Sequence, residues 1–246
     1  MKKDSRTIYE LVSSGTHKNN VALYKCRKNG RCFYKKVAFS SFSNRLIENE
    51  KKGYDWFCKI AEKDYQVILS RNNFFEIEIP EFRGKIHPRN IPLKGCKDEV
   101  EIIIDFYKKY WLNAQPFSIH GDLAISNIIL SDGEDINIID WEHFHLADPI
   151  YFGFDIFNML FIALRNQFKK VESVSKKTKA FLKSCYNIII DGIPASNQIL
   201  EKPFQNSSDY LIRFKHKFGL CVEVTDKYAL AKSPQRELEQ LDLLIT

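Results

Sequence analysis

The sequence lacks the cysteine pattern of a disulfide framework or of a structural zinc site. Its six cysteines lie far apart, at positions 26, 32, 58, 96, 185 and 221, and no CxxC pair occurs. Scattered cysteines without an accompanying histidine cluster are typical of free thiols in a reducing compartment. We therefore expect a cytoplasmic protein whose stability does not depend on covalent cross-links.

Long hydrophobic runs are also missing. The longest apolar stretch, at positions 150–164, is interrupted by Asp155 and Asn158. It is shorter than the stretch of about 20 residues that a membrane-spanning helix needs. The basic N-terminal residues lead into no apolar segment, so we expect no signal peptide.

The charges are not strongly one-sided. The chain has 37 basic and 31 acidic residues, a net charge of +6, and no basic stripe or nucleic-acid-reading motif. This distribution disfavours a nucleic-acid partner. It remains compatible with phosphate-bearing ligands or with peripheral contact to an anionic membrane surface. Nothing in these patterns indicates an oligomeric state.

The first third of the chain reads as β-rich. Strands are expected at 9–14, 21–26, 32–39, 66–69 and 74–82, and a helix at 43–63 with Ser43 as its N-cap. Three prolines between Pro80 and Pro92 indicate a connector. We expect an N-terminal lobe at 1–85 and a C-terminal lobe at 86–246.

The remainder reads as mostly helical. Helices are expected at 98–112, 149–168, 173–190, 209–218 and 233–244. The predicted fold class is therefore α+β, with a small β-rich N-terminal lobe and a larger, mostly helical C-terminal lobe.

The clearest functional signal lies between His120 and Glu142. Two apolar runs, 128–131 and 136–139, flank an Asp-Gly turn and predict a hairpin. A symmetric turn would place Asn127 and Asp140 side by side as oxygen ligands for a hard divalent cation. Asp122 precedes Asn127 by five residues and can approach the same place without binding the metal.

This set of side chains suits phosphoryl transfer. One carboxylate accepts the proton of the attacking hydroxyl, while an amide and a second carboxylate hold Mg²⁺ against the phosphates. Most of the rate enhancement then comes from positioning and from charge neutralisation.

The elements His120-Gly121-Asp122, Asn127 and Ile139-Asp140-Trp141-Glu142 resemble the aminoglycoside phosphotransferase and choline kinase superfamily. The resemblance implies a bilobal protein-kinase-like fold, with ATP and Mg²⁺ as cofactors. It also implies roles for individual residues: Asp122 as catalytic base, Asn127 and Asp140 as Mg²⁺ ligands, His120 as support of the catalytic loop, and Asp148-Pro149 with Asp155 as its braces.

A second set of candidates lies in the N-terminal part. Glu50 falls on the apolar face of the helix at 43–63, whereas Glu48 falls on its polar face. A buried glutamate needs a cationic partner, and in the kinase fold a strand lysine pairs with it and holds the phosphates. Strand alternation favours Lys35, while counting from the Gly30 turn favours Lys36; both are candidates, with Lys35 preferred.

The phosphate loop is incomplete. The first hairpin offers Ser14 and Gly15 rather than a full glycine-rich signature. These two residues are candidates for phosphate contacts through backbone amides and a hydroxyl, although an ordinary hairpin turn fits the sequence equally well.

The acceptor is predicted from charge. The region after Pro149 is rich in lysine, which opposes a polycationic aminoglycoside and favours a sugar or an anionic glycan or glycolipid intermediate. Abundant aromatic residues keep choline or ethanolamine as an alternative. A pseudokinase scaffold is disfavoured because Asp122, Asn127 and Asp140 are all present, and a protein kinase because no Ala-Pro-Glu element follows.

Overall fold

The computed structural model describes residues 7–14, 20–111, 114–131, 135–147 and 154–168, with positions 176, 177, 180, 183 and 184 in addition. The chain divides into two compact units. Unit 1 comprises Met1–Arg83 with Ile139–Phe144, and unit 2 comprises Gly84–Ile138 with His145–Thr246. The short segment Ile139–Phe144, which follows the predicted hairpin, is thus grouped with the N-terminal part of the chain.

Unit 1 is built on a five-stranded antiparallel sheet. Its strand order is β1-β2-β3-β5-β4. The strands are β1 (Ile8–Ser13), β2 (Val21–Lys28), β3 (Arg31–Ala38), β4 (Ile68–Arg71) and β5 (Phe75–Pro80). Asn29 and Gly30 both have positive φ and join β2 to β3, as expected for a two-residue Asn-Gly hairpin turn.

Helix α1 (Ser41–Ile60) follows β3. The prediction of Ser43 as its N-cap is wrong, because Ser40 has the extended backbone and caps the helix. The Ser40 hydroxyl accepts a hydrogen bond from the Ser43 amide at 3.1 Å, and the Ser43 hydroxyl accepts one from the Ser40 amide at 2.9 Å. Ser43 is therefore the second member of a capping box, three residues into the helix.

The inner face of α1 packs against the sheet. Leu46, Ile47, Tyr54 and Phe57 are buried there, as helical periodicity predicted, and Glu50 lies among them. The matching sheet residues, including Ala38 and Ile77, are fully buried as well. The packing of this apolar face therefore keeps the Glu50 side chain away from water.

The described part of unit 2 contains two longer helices and two small sheets. Its elements are β6 (Lys85–Ile86), α2 (Lys97–Trp111), β7 (Ser118–Ile119), β8 (Ile128–Leu130), β9 (Ile136–Ile138), β10 (His145–Leu146) and α3 (Phe154–Phe168). Antiparallel pairing gives the sheets β6-β8-β9 and β7-β10. Ile128 pairs with Ile138 and Leu130 with Ile136, so the predicted hairpin is present.

Several sequence predictions fall on other parts of the chain. The helices predicted at 209–218 and 233–244, and the turn of the hairpin at 132–134, lie outside the described residues. Positions 176, 177, 180, 183 and 184, within the helix predicted at 173–190, are helical. Within the described ranges, no helix combines the length and apolar character needed to cross a membrane, and the cysteines at 26, 32, 58 and 96 are free thiols.

Candidate functional site

Unit 1 contains a compact cluster of one ammonium and three carboxylates. The Lys36 Nζ atom, on β3, lies 2.8 Å from Glu50 Oε2, 2.7 Å from Asp140 Oδ1 and 3.0 Å from Glu142 Oε1. Glu50 is fully buried and Lys36 is only 9% exposed. The cluster therefore joins a strand, a helix and the segment that follows β9.

The expectation that Lys35 is the partner of Glu50 is wrong. Lys35 and Lys36 alternate to opposite faces of the sheet, and Lys35 Nζ pairs with Glu76 on β5 at 2.6 Å. By alternation Lys35 shares a face of the sheet with Phe33, Val37 and Phe39, and these apolar residues were expected to mark the core side. Phe39 is in fact 49% exposed, whereas Ala38, on the side of Lys36, is fully buried.

The cluster has an excess of negative charge. Burial raises the pKa of Glu50 to about 8, and the charges of Glu142 and Asp140 add to this rise while Lys36 opposes it. Burial alone would lower the pKa of Lys36, but the three carboxylates together hold it well above its ordinary value. Even with Glu50 protonated, one ammonium does not neutralise the carboxylates of Asp140 and Glu142, so the site favours an additional cation.

The donor atoms fit a hard divalent cation. Glu50, Asp140 and Glu142 each offer a carboxylate oxygen, and these oxygens lie within 4.8 Å of one another. Glu50 Oε1 is buried and has no hydrogen-bond partner among the residues that the structure describes, and the Asp140 side chain is 43% exposed. Carboxylate oxygens are the ligands that Mg²⁺ prefers in proteins.

Backbone conformation and packing position Asp140. Its φ of 68° lies in the left-handed region, which Asp tolerates better than most residues and which recurs at functional sites. It precedes a short 3-10 helix, Trp141–His143. The fully buried Trp141 ring packs against the Phe57 ring of α1, with 5.5 Å between the two ring centroids. A Cβ atom on Gly53 would lie 2.5 Å from Trp141 Cβ, so only glycine allows this close approach.

Unit 2 contains a second candidate, the loop His120-Gly121-Asp122. The Asp155 carboxylate, at the start of α3, accepts hydrogen bonds from the backbone amides of His120 at 2.8 Å and Gly121 at 2.9 Å. His120 is fully buried, and its Nδ1 accepts from the Asp122 amide at 3.3 Å. The Asp155 carboxylate of α3 and the His120 ring therefore both fix the conformation of the loop.

Two amides and a guanidinium complete the surroundings of the loop. Asn127 donates from Nδ2 to the Asp122 carbonyl at 3.0 Å, and Asn158 donates to the Leu123 carbonyl at 3.1 Å. Arg89 Nη2 lies 3.3 Å from Asp122 Oδ2. Asp122 itself is 5% exposed, so its carboxylate is largely withdrawn from water.

The buried Asp155 has a perturbed acidity. Burial raises its pKa to about 7, against the two backbone hydrogen bonds that favour the ionised form, and the charge of Asp122 adds to the rise. The two carboxyl groups thus influence each other electrostatically within unit 2.

The structure brings the predicted site residues together in two groups, one in each unit. It brings Lys36, Glu50 and Asp140 together in unit 1, and His120, Asp122 and Asn127 together in unit 2. Ser14 is exposed, while Gly15 and Asp148-Pro149 lie outside the described residues. The predicted pairing of Asn127 with Asp140 as metal ligands stays a prediction.

Three contacts were missed by sequence reasoning. Glu142 joins the Lys36 cluster, and its position in the Asp-Trp-Glu element could have identified it as a site residue. Arg89 and Asn158 contact the Asp122 loop from 33 and 35 residues away, and no local pattern marks them.

Comparison with known proteins identifies the fold. No protein-family model matches the sequence, and no curated protein matches it significantly. Among solved structures, a Plasmodium vivax ethanolamine kinase is 12% identical, covers 100% of this chain and 82% of its own, and has a TM-score of 0.54. A thermostable mutant of the aminoglycoside phosphotransferase APH(4)-Ia in its apo form is 11% identical, with 97% and 94% of the two chains covered and a TM-score of 0.51.

A further variant of that phosphotransferase, in ternary complex with ADP and hygromycin B, gives a TM-score of 0.53 at 11% identity, with 97% of this chain and 93% of that chain covered. The alignments cover 97–100% of this chain, although only 11–12% of the aligned residues are identical. The chain therefore has the fold of these aminoglycoside phosphotransferase and ethanolamine kinase structures, as the sequence resemblance implied.

Proposed function

We propose that the protein is an ATP- and Mg²⁺-dependent phosphotransferase that transfers a phosphoryl group to a hydroxyl of a small molecule. The observation that carries this proposal is the buried Lys36, held by Glu50 of α1 and by Asp140. A strand lysine paired with a helix glutamate is the arrangement that holds nucleotide phosphates in kinase folds.

In this proposal Lys36 contacts the phosphates of ATP, and Glu50 keeps the ammonium in place. Asp140 and Asn127 are the residues that would hold Mg²⁺, with Glu142 as a further oxygen donor close to Asp140. When bound, Mg²⁺ neutralises phosphate charge. The negative excess of the Lys36 cluster supports a requirement for the cation, because ATP itself is strongly anionic.

Asp122 is the proposed base. It would orient the acceptor hydroxyl and accept its proton as the phosphoryl group is transferred. Its support by His120, Asn127 and Asp155 suits a carboxylate that must be held in one orientation. Positioning of this kind supplies much of the rate enhancement of such transfers.

We propose a sugar, or an anionic glycan or glycolipid intermediate, as the acceptor. The lysine-rich sequence after Pro149 supports this choice, and the described positions Lys176, Lys177 and Lys183 are exposed. Choline, ethanolamine and aminoglycosides are the alternatives. Fold likeness does not decide among them, because the similar structures include both an ethanolamine kinase and an enzyme bound to hygromycin B.

The test is ADP formation from ATP and Mg²⁺ across a panel of sugars, choline, ethanolamine and aminoglycosides, with Asp122→Ala as the control. We expect turnover with one acceptor class, and a loss of at least 100-fold in kcat in the variant, the order of magnitude for removal of a general base. Nucleotide affinity should be kept, since the base does not bind ATP. Turnover that survives in Asp122→Ala would refute the assignment. Bound nucleotide without turnover on any of these acceptors would indicate a larger glycan or lipid acceptor, or a pseudokinase.

A further inference from the structure

The loop that carries Asp122 has no positive charge of its own. The residues between Asp122 and Asn127 are Leu123, Ala124, Ile125 and Ser126. The first three are buried, and the Asp155 carboxyl lies close enough for the charge of Asp122 to raise its pKa. A buried loop with two neighbouring carboxyl groups is a region of negative potential unless a cation from another segment enters it.

The guanidinium of Arg89 supplies this positive charge. Its Nη2 atom lies 3.3 Å from Asp122 Oδ2, and the Arg89 side chain is 44% exposed. This contact is a hydrogen bond to one carboxylate oxygen, and a guanidinium carries five N–H donors, more than one such contact uses. The half-exposed guanidinium can therefore also be reached by a molecule that approaches Asp122 from solvent.

The backbone of Arg89 is well anchored within unit 2. The Ile91 amide donates to the Pro88 carbonyl at 3.0 Å, which places Arg89 in a tight turn. On one side of this turn His87 Nε2 lies 3.2 Å from Glu99 Oε1 of α2, and on the other side Leu93 is buried. Because both ends of the turn are held, the guanidinium is presented at a defined place next to Asp122.

We propose that Arg89 determines acceptor specificity by selecting a molecule with a carboxylate or phosphate group close to the hydroxyl that is phosphorylated. This inference rests on the proposed function, in which the acceptor hydroxyl lies within hydrogen-bond distance of Asp122. An acceptor held there lies beside the Arg89 guanidinium, whose planar set of donors matches carboxylate and phosphate oxygens. The same charge repels the ammonium groups of choline, ethanolamine and aminoglycosides.

The experiment measures the binding of four matched sugars by isothermal titration, in the presence of Mg²⁺ and a non-hydrolysable ATP analogue. Glucuronate and glucose 6-phosphate carry the two kinds of anion, glucose is neutral, and glucosamine is cationic. We expect at least one anionic sugar to bind about tenfold more tightly than glucose, a difference of about 1.4 kcal/mol, and glucosamine to bind most weakly. Whether glucuronate or glucose 6-phosphate binds better identifies the anionic group.

Three variants locate the preference. Arg89→Gln should abolish it while leaving the affinity for the nucleotide analogue unchanged, which also shows that the variant is folded. Arg89→Lys should retain part of it, because the charge remains but the planar donor set is lost. Lys94→Gln removes the same charge from an exposed position on the same segment and should leave the preference intact.

The inference is overturned if neither anionic sugar binds more tightly than glucose in the wild type, including the case in which no sugar binds. It is equally overturned if the preference survives in Arg89→Gln. These outcomes are distinct from failure of the proposed function, because the binding of the ATP analogue is measured first, in a separate titration without sugar. Intact nucleotide binding without an anion preference contradicts the role of Arg89 alone, whereas absent nucleotide binding contradicts the phosphotransferase itself.

Discussion

Lys35 and Lys36 are adjacent on β3 and are similar candidates by sequence, but their surroundings in the structure differ. Lys36 is buried with three carboxylates, while Lys35 faces the other side of the sheet and pairs with Glu76. Period-2 alternation correctly predicts that the two point in opposite directions. Alternation alone does not identify the core face of β3, because both faces carry apolar side chains. The core face is the one against which α1 packs.

This difference leads to a prediction with a matched control. Lys36→Met should weaken the affinity for Mg²⁺ and ATP at least tenfold, because it removes the ammonium and leaves three carboxylates beside the phosphates. Isothermal titration measures the effect. Lys35→Met removes the same charge one residue away and should change the affinity little. Equal losses in the two variants would contradict the assignment of Lys36.

At the scale of elements, the packing of Trp141 on α1 connects the helix to the acidic segment that follows β9. Gly53 leaves the space that the indole occupies, and the Trp56 and Phe57 rings contact it from the same helix. Sequence periodicity predicted the buried face of α1 but not this contact. It depends on a tryptophan 88 positions further along the chain, which no local pattern can place.

Gly53→Ala tests the packing. A Cβ atom would lie 2.5 Å from Trp141 Cβ, and overpacking of a buried site costs about 1–3 kcal/mol. We expect a lower melting temperature, and weaker Mg²⁺-dependent nucleotide binding because Asp140 and Glu142 flank the displaced indole. Lys52→Ala, at an exposed neighbouring position of α1, is the control. Higher stability of Gly53→Ala, as helix propensity alone predicts, would contradict the account.

The contact between α3 and the Asp122 loop predicts a pH dependence. The pKa of Asp155 rises from 3.8 to about 7 on folding, so between these values the folded state holds a proton that the unfolded state releases. The contribution of Asp155 to the free energy of unfolding is therefore complete below pH 3.8, decreases as the pH rises, and is constant above about pH 7.

Asp155→Asn should remove this slope, because the amide does not titrate. Chemical denaturation of both proteins between pH 4 and pH 8 measures it. The stability of the wild type relative to the variant should fall by a few kcal/mol, on the order of 1.4 kcal/mol per pH unit, and then level off. A difference that stays constant, or that grows with pH, would show that the carboxylate is ionised throughout this range.

At the scale of the whole molecule, the sequence predicted the β-rich first part, the principal helix of unit 1 and the β8–β9 hairpin. Each of these depends on local periodicity and turn chemistry, such as the Asn29-Gly30 turn. Contacts between distant segments were predicted where a physical requirement demanded them, or where the family resemblance implied them, as for Asp155 and the His120-Gly121 backbone. The buried Glu50 required a cation, and this requirement identified β3 as its source. No such requirement pointed to Arg89 or Asn158, and both were missed.

The fold is shared with an ethanolamine kinase and with a phosphotransferase in complex with ADP and hygromycin B, so fold likeness does not identify an acceptor. The proposed roles of Lys36, Glu50 and Asp140 all concern ATP and its metal ion. They can therefore be examined before any acceptor is known.

Isothermal titration of ATP into the wild type and Asp140→Ala, each with and without Mg²⁺, tests the proposed nucleotide and metal site. We expect the wild type to bind ATP at least tenfold more tightly with Mg²⁺ than without it, and Asp140→Ala to lose this gain. An equal affinity with and without Mg²⁺ in the wild type, or an undiminished gain in the variant, would contradict the proposal.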